Sequence, residues 1–202
     1  MVNTINYNKN ISMKQKILET AFIIANKDSF DSLTASSITK KLKITPPALY
    51  KHFENLNNLK EIMAIFAFRE IEKITKETLI ISRGEEAIIL LGKSYREFAK
   101  SNPSYFEATH YRTKKENLEL SMLRKSLIEL LTRVFEDIGV ESKEVLFSIR
   151  AFRSLVFGFI YLETKKSFGL DTNLDKSFLF AIDLFIKGIH NKNSNPQKGS
   201  TK

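Results

Sequence analysis

The chain has no cysteine and no tryptophan, and only seven glycines, four prolines and three histidines in 202 residues. Without a thiol there is no disulfide framework, no thiolate zinc site and no cysteine nucleophile, which suits a reducing compartment. No glycine precedes Gly84. Repeated strand–turn–strand units need more such punctuation, so helices are favoured from the outset. Long apolar runs are missing too. The longest uninterrupted ones, residues 62–68 and 87–91, fall far short of the roughly 18 residues needed to cross a bilayer, and no membrane span is expected. The first fourteen residues lack the apolar stretch of a secretory signal, so a cytoplasmic location is expected.

Chemistry-bearing motifs are equally scarce. His52, His110 and His190 stand 58 and 80 positions apart with no short-range ligand partner, so neither a metal nor a cofactor is expected. Gly92, Lys93 and Ser94 spell the end of a phosphate-binding loop, but the glycine required five positions earlier is Ala87 and the triplet lies inside an amphipathic helical pattern. No Ser, His and Asp set has a recognisable context. The sequence reads as that of a protein that is not an enzyme.

What the chain does have is positive charge, and it is unevenly spread. Residues 1–60 hold nine Lys against four acids, a net +5; residues 61–190 are almost balanced at +1; residues 191–202 add +3. A near-neutral body with a basic head is what contact with a phosphate backbone requires, because surface Lys displaces condensed counterions. A solubilising surface would give the same balance, and so a rival reading stays open: an all-α small-molecule or lipid-binding protein, or an enzyme, with a head that merely solubilises.

Apolar residues recur at helical period almost throughout. Ser12 and Gln15 have capping-box spacing ahead of a helix reaching about Lys27; Thr34 caps a short second helix ending at Leu42; Thr45, with Pro46 at the first helical position, opens a third that runs to about Phe53. A long fourth helix covers residues 56–79. Further helices are predicted over 87–100, 103–111, 117–138, 142–165 and 174–189, with Ser82 and Glu85 forming a second capping box. This is an all-α chain of about nine helices: a three-helix head over 1–55, a helical body over 56–190, and a polar, disordered tail over 191–202.

Helices two and three are short and joined by about four residues, which is helix-turn-helix spacing. With Ile17, Ala21, Ile24, Ile38, Leu42, Ile44 and Leu49 turned inward, the helical period turns Pro47, Ala48, Lys51 and His52 outward at the front of helix three. Such an edge fits a major groove about 12 Å wide, with Tyr50 and Thr34 placed to bond to the phosphate backbone on either side. A helical hairpin inside an ordinary all-α domain would show the same periodicity.

ITKKLKITPPALYKHFENLNNLKEIM, preceded by ILETAFIIANKDSFDSLT, resembles the DNA-binding head of the TetR-type (tetracycline repressor-like) transcriptional regulators, most specifically in Leu49, Tyr50, His52 and Phe53. The resemblance implies that Thr34, Thr45, Tyr50, Lys51 and His52, with Pro46, Pro47 and Ala48 between them, touch a double-stranded operator. It further implies a homodimer on a near-palindromic site and a repressor released or recruited by a small-molecule effector. Three positions depart from the family pattern. Ser29 and Lys43 stand where glycine is usual, the latter at a cost of about 1 kcal/mol in a left-handed turn. Leu56 replaces a common Lys, whose phosphate contact Lys60, one turn later, would take over.

In the body, residues 148–162 and 178–189 are apolar almost all the way round. A helix apolar on every side is buried on every side, and the last two helices can achieve that by pairing with their copies in a second subunit or, without dimerisation, inside a two-sided core of one subunit. The expected interface residues are Phe159, Phe178, Ile182, Phe185 and Ile189. Aromatic residues are the candidates for an effector pocket, Phe98, Tyr105, Phe106, His110 and Tyr111, with Phe152, Phe157 and Tyr161; the alternative is that the set is simply core.

Overall fold

The computed structural model describes residues 12–113, 116–170 and 172–194, and the described residues form helices and turns with no strand. The helices are α1 (Met13–Asp28), α2 (Ala35–Leu42), α3 (Pro46–Tyr50), α4 (Leu56–Ile81), α5 (Gly84–Ser101), α6 (Pro103–Ala108), α7 (Leu118–Asp137), α8 (Ser142–Thr164) and α9 (Leu174–Ser194). The all-α reading holds, and the boundaries differ where local chemistry overrides periodicity. Helix α3 stops at Tyr50 rather than near Phe53. Ser82 does not cap α5: its buried hydroxyl donates back to the Thr78 carbonyl at 2.7 Å, closing the end of α4 instead. Helix α9 continues to Ser194, past the expected end near Ile189; most of the expected disordered tail, residues 195–202, lies outside the described residues.

The chain divides into two compact units, residues 1–70 with 98–123 and residues 71–97 with 124–202. The first is wider than the expected head of 1–55, because α6 packs on α1. Its core joins Ile17, Ala21, Phe22, Phe30, Leu33, Ile38, Leu49, Phe53, Leu59, Met63 and Ala108. Two reciprocal bonds staple α6 to the end of α1: the Ser104 amide donates to Asn26 Oδ1 at 2.8 Å and the Phe30 amide to Glu107 Oε2 at 2.7 Å. Phe22 stacks on Tyr105 at 3.8 Å between ring centroids, and burial raises the Tyr105 pKa.

The second unit is centred on Phe135, Phe152 and Phe185, whose centroids lie about 6 Å apart in mutual contact. Gly92 explains the triplet seen in the sequence: a Cβ there would lie 3.2 Å from Ile182 Cδ1 and 3.4 Å from Phe178 Cζ, so the glycine permits close approach of α5 and α9. Arg96, one turn on, is buried under the rings of Phe159 and Phe178. It donates twice to Glu163 at 2.6 Å and once to Asp175 at 2.7 Å, tying the end of α8 to the start of α9. The Glu163 hydrogen bonds raise the guanidinium pKa.

Helix α8 corrects the membrane reading in one respect. It has no long uninterrupted apolar run, yet an 18-residue window has a mean hydropathy of 1.6, long and apolar enough to cross a bilayer, with a third of it buried within the fold. Val145, Ile149, Phe152, Val156 and Ile160 form that buried stripe.

Backbone strain and buried charge each yield a test. Ser29 sits at φ 140° and ψ 159°, a conformation almost confined to glycine, costing of order 1–3 kcal/mol. Ser29→Gly relieves that strain but gives up the bond that Ser29 Oγ accepts from the Ser32 amide at 3.2 Å, so the melting temperature should rise by about 2–4 °C per kcal/mol of net gain; a melting temperature lower than that of Ser29→Ala, which loses the same bond without relieving the backbone, would contradict the strain. Arg96→Ala leaves the nearly buried Glu163 without its guanidinium and should cost about 1.5–3 kcal/mol in denaturant unfolding, far more than Asp175→Ala, whose carboxylate is 77% exposed.

Candidate nucleic-acid interface

Helix α2 begins with a complete capping box. Thr34 Oγ1 accepts from the Ser37 amide at 3.1 Å, and Ser37 Oγ accepts in return from the Thr34 amide at 3.3 Å. It ends at Lys43, which takes the left-handed conformation (φ 54°, ψ 41°) that its position in the turn implied. The turn is closed by the Ile44 amide donating to the Thr39 carbonyl at 3.1 Å.

Helix α3 is too short to persist alone. Leu49 within it and Phe53 just beyond it are buried at 2% and 3% exposure and anchor it to the core; burial of each contributes about 1.5–3 kcal/mol. Its other face is open. Thr45, Pro46, Pro47, Tyr50, Lys51 and His52 are exposed and Ala48 is half-buried. Lys51 and His52 lie in the turn after the helix, their amides donating to Pro47 and Leu49 carbonyls at 3.1 and 3.0 Å. Lys40, Lys41 and Lys43 are also exposed on α2 and its cap; Lys43 stands out in the sequence only as a residue in a glycine-like turn, although the spacing of the three on a short helix marks them as a group of cations.

Thr45 has the extended backbone of an N-cap, but its side chain makes no capping bond. The reason is local. Pro47 at the second helical position has no N–H, and the Ala48 amide donates to the Thr45 carbonyl at 3.0 Å. From residue 46 to residue 49 no amide is therefore free for phosphate, and side chains must make any contact along that stretch. Lys60 is half-buried, with Nζ donating to the Asp31 carbonyl at 3.2 Å and lying 5.3 Å from the Phe30 ring centroid.

The aromatic candidates fall in both units. Phe98, Tyr105, Phe106, His110 and Tyr111 belong to the first, where Tyr105 and Tyr111 pack on Phe22 and Phe30 of the head. Phe152, Phe157 and Tyr161 belong to the second: Phe152 is sealed in the three-ring core, Phe157 lies beside Arg153, and Tyr161 is 61% exposed. The expected interface residues are likewise placed by packing. Phe178 and Ile182 are fully buried against Gly92, Phe185 belongs to the three-ring core, Phe159 lies against Phe178 and Phe168, and Ile189 is half-buried. The most exposed large apolar residues of α9 are instead Phe180 and Leu184, each two positions out of phase with Phe178 and Ile182, with Leu179 less exposed beside them.

Residues 88–185 match the family described as Tetracyclin repressor-like, C-terminal domain. The chain is 27% identical over 187 residues to the HTH-type transcriptional regulator YobS of Bacillus subtilis (strain 168), covering 91% of this chain and 97% of that one. Its fold is similar to that of a protein with unknown function from Rhodococcus sp. RHA1, with a TM-score of 0.75, 14% identity, and coverage of 91% and 98%. It is also similar to the fold of a single-substitution form of TetR from Acinetobacter baumannii AYE in complex with minocycline, with a TM-score of 0.65, 20% identity, and coverage of 91% and 99%. Residues 88–185 are thus similar to the tetracyclin repressor-like C-terminal domain, and the whole chain is similar in sequence to an HTH-type transcriptional regulator and in fold to the two solved structures.

Proposed function

We propose that the protein is a DNA-binding transcriptional regulator that acts as a ligand-responsive repressor, binding a near-palindromic operator as a homodimer. The observation that carries the reading is the open edge of α3, held by Leu49 and Phe53 and flanked by Lys43, Lys51 and His52. Thr34, Thr45 and Tyr50, with Lys51 and His52, serve as phosphate and groove contacts, while Pro46, Pro47 and Ala48 face the bases. Lys60 reaches phosphate only by adding a donor bond beyond the one it gives to Asp31.

The homodimer reading rests on what α8 and α9 leave uncovered. Phe147 and Tyr161 on α8 and Phe180 and Leu184 on α9 are 53–63% exposed. Beside them a Cβ at Gly158 or Gly188 would meet nothing within 4 Å. Glycine inside a helix costs roughly 0.5–1 kcal/mol relative to alanine, and among the described residues no neighbour offsets that cost; close approach of a second copy's helices would. The interface thus uses Phe180 and Leu184 rather than Phe178 and Ile182.

Minocycline bound to the Acinetobacter protein supports a small-molecule effector here, held in the second unit. Helix α4 contributes residues to both units and is the covalent route by which such binding would reach the head. The partners proposed are therefore an operator duplex, an effector and a second copy, in the cytoplasm and with no membrane.

Lys51→Ala should weaken operator binding several-fold and lower the salt slope of log K by about one, and Tyr50→Ala should weaken it without altering the melting temperature. Unchanged gel-shift titrations for both would remove the DNA reading. Leu184→Glu, at a position more than half exposed, should leave a folded monomer with reduced operator affinity; sedimentation as an intact dimer would place the interface elsewhere.

A further inference from the structure

The tip of α3 is chemically unusual for a surface that reads nucleic acid. Pro46 and Pro47 have no N–H, and the Ala48 and Leu49 amides both donate to the Thr45 carbonyl, at 3.0 and 3.2 Å. No free amide donor remains from residue 46 to residue 49, so the tip is no helix-terminal anion site. Over residues 45–48 the side chains comprise two pyrrolidine rings, one methyl group and the Thr45 side chain, whose hydroxyl is the only polar side-chain atom. Thr45, Pro46 and Pro47 are exposed. The cations stand to the sides, at Lys43 and Lys51.

In the major groove every base presents hydrogen-bonding atoms, and thymine alone adds a 5-methyl group, next to its O4 acceptor. Pressing pyrrolidine rings on the other three bases strips water from polar edges with no replacement bond. Against thymine the same surface buries methyl on methylene. We infer that Pro46, Pro47 and Ala48 read thymine 5-methyl groups, and that thymines at the centre of each operator half-site are specified by apolar contact rather than by hydrogen bonds. This rests on the DNA-binding reading proposed above. Lys43, Lys51 and Tyr50 then set register on phosphate, and the apolar tip sets sequence.

The test leaves the protein unaltered. Full-length protein selects duplexes from a random library, and the selected duplex is remade with deoxyuridine in place of thymidine, one position at a time. Pairing is kept and only the methyl is lost. The inference expects one or more half-site positions at which affinity falls about fourfold, from roughly 0.8 kcal/mol per buried carbon, with no change at flanking positions. Equal affinity for both forms at every position overturns the methyl reading while leaving the regulator reading intact. An equal penalty at flanking positions also overturns it, since duplex shape rather than contact would then be responsible. Selection that enriches no sequence overturns both readings together.

Discussion

A five-residue helix has too few internal hydrogen bonds to hold its shape in water, so everything proposed for α3 depends on the burial of Leu49 and Phe53. That anchorage fixes which side faces out. It turns the prolines, Tyr50 and the basic turn at Lys51 and His52 to solvent, and it permits a helix start whose amides are either absent or already bonded. A longer helix would tolerate loss of one anchor by fraying; this one would lose its presented edge altogether.

The rest of the first unit serves that anchorage, and it does so against local strain. Ser29 and Lys43 both adopt positive φ values without being glycine, so the links from α1 towards α2 and from α2 to α3 are held in place by tertiary packing. Helix α6 supplies part of the compensation. Its Glu107 takes the Phe30 amide directly after the strained Ser29, its Tyr105 stacks on Phe22, and the amide of its Ser104 donates to Asn26. The three-helix head is therefore completed by a helix that lies some fifty residues beyond it in the chain.

Much of this was legible in the sequence, because the signals are local. The caps Ser12 and Thr34, the Thr45–Pro46 start, the glycine-like turn at Lys43 and the inward set from Ile17 to Leu49 all follow from spacing and backbone preference. Ser82 misled because a Ser near a helix boundary can bond forwards or backwards, and burial selected the backward bond to Thr78. The phase of α9 was not legible. Its apolar residues surround the helix, so period alone cannot say which face the protomer covers; Gly92 on α5 decides that, by admitting Phe178 and Ile182. The Arg96, Glu163 and Asp175 cluster was hidden for a similar reason, since its members are 67 and 79 positions apart in sequence.

The second unit follows the same logic at larger scale. Packing within the chain covers one stripe of α8 and of α9 and leaves Phe147, Phe180 and Leu184 outside; among the described residues α8 is also the one helix with the length and hydropathy of a membrane span. The central claim is that the anchored edge of α3 is where duplex DNA lands. Amide hydrogen exchange of the full-length protein, with and without a duplex recovered from the source genome by capture on it, tests this most directly. The account predicts added protection concentrated in residues 34–53; protection confined to residues outside that span, with α2 and α3 exchanging as in the free protein, would contradict it.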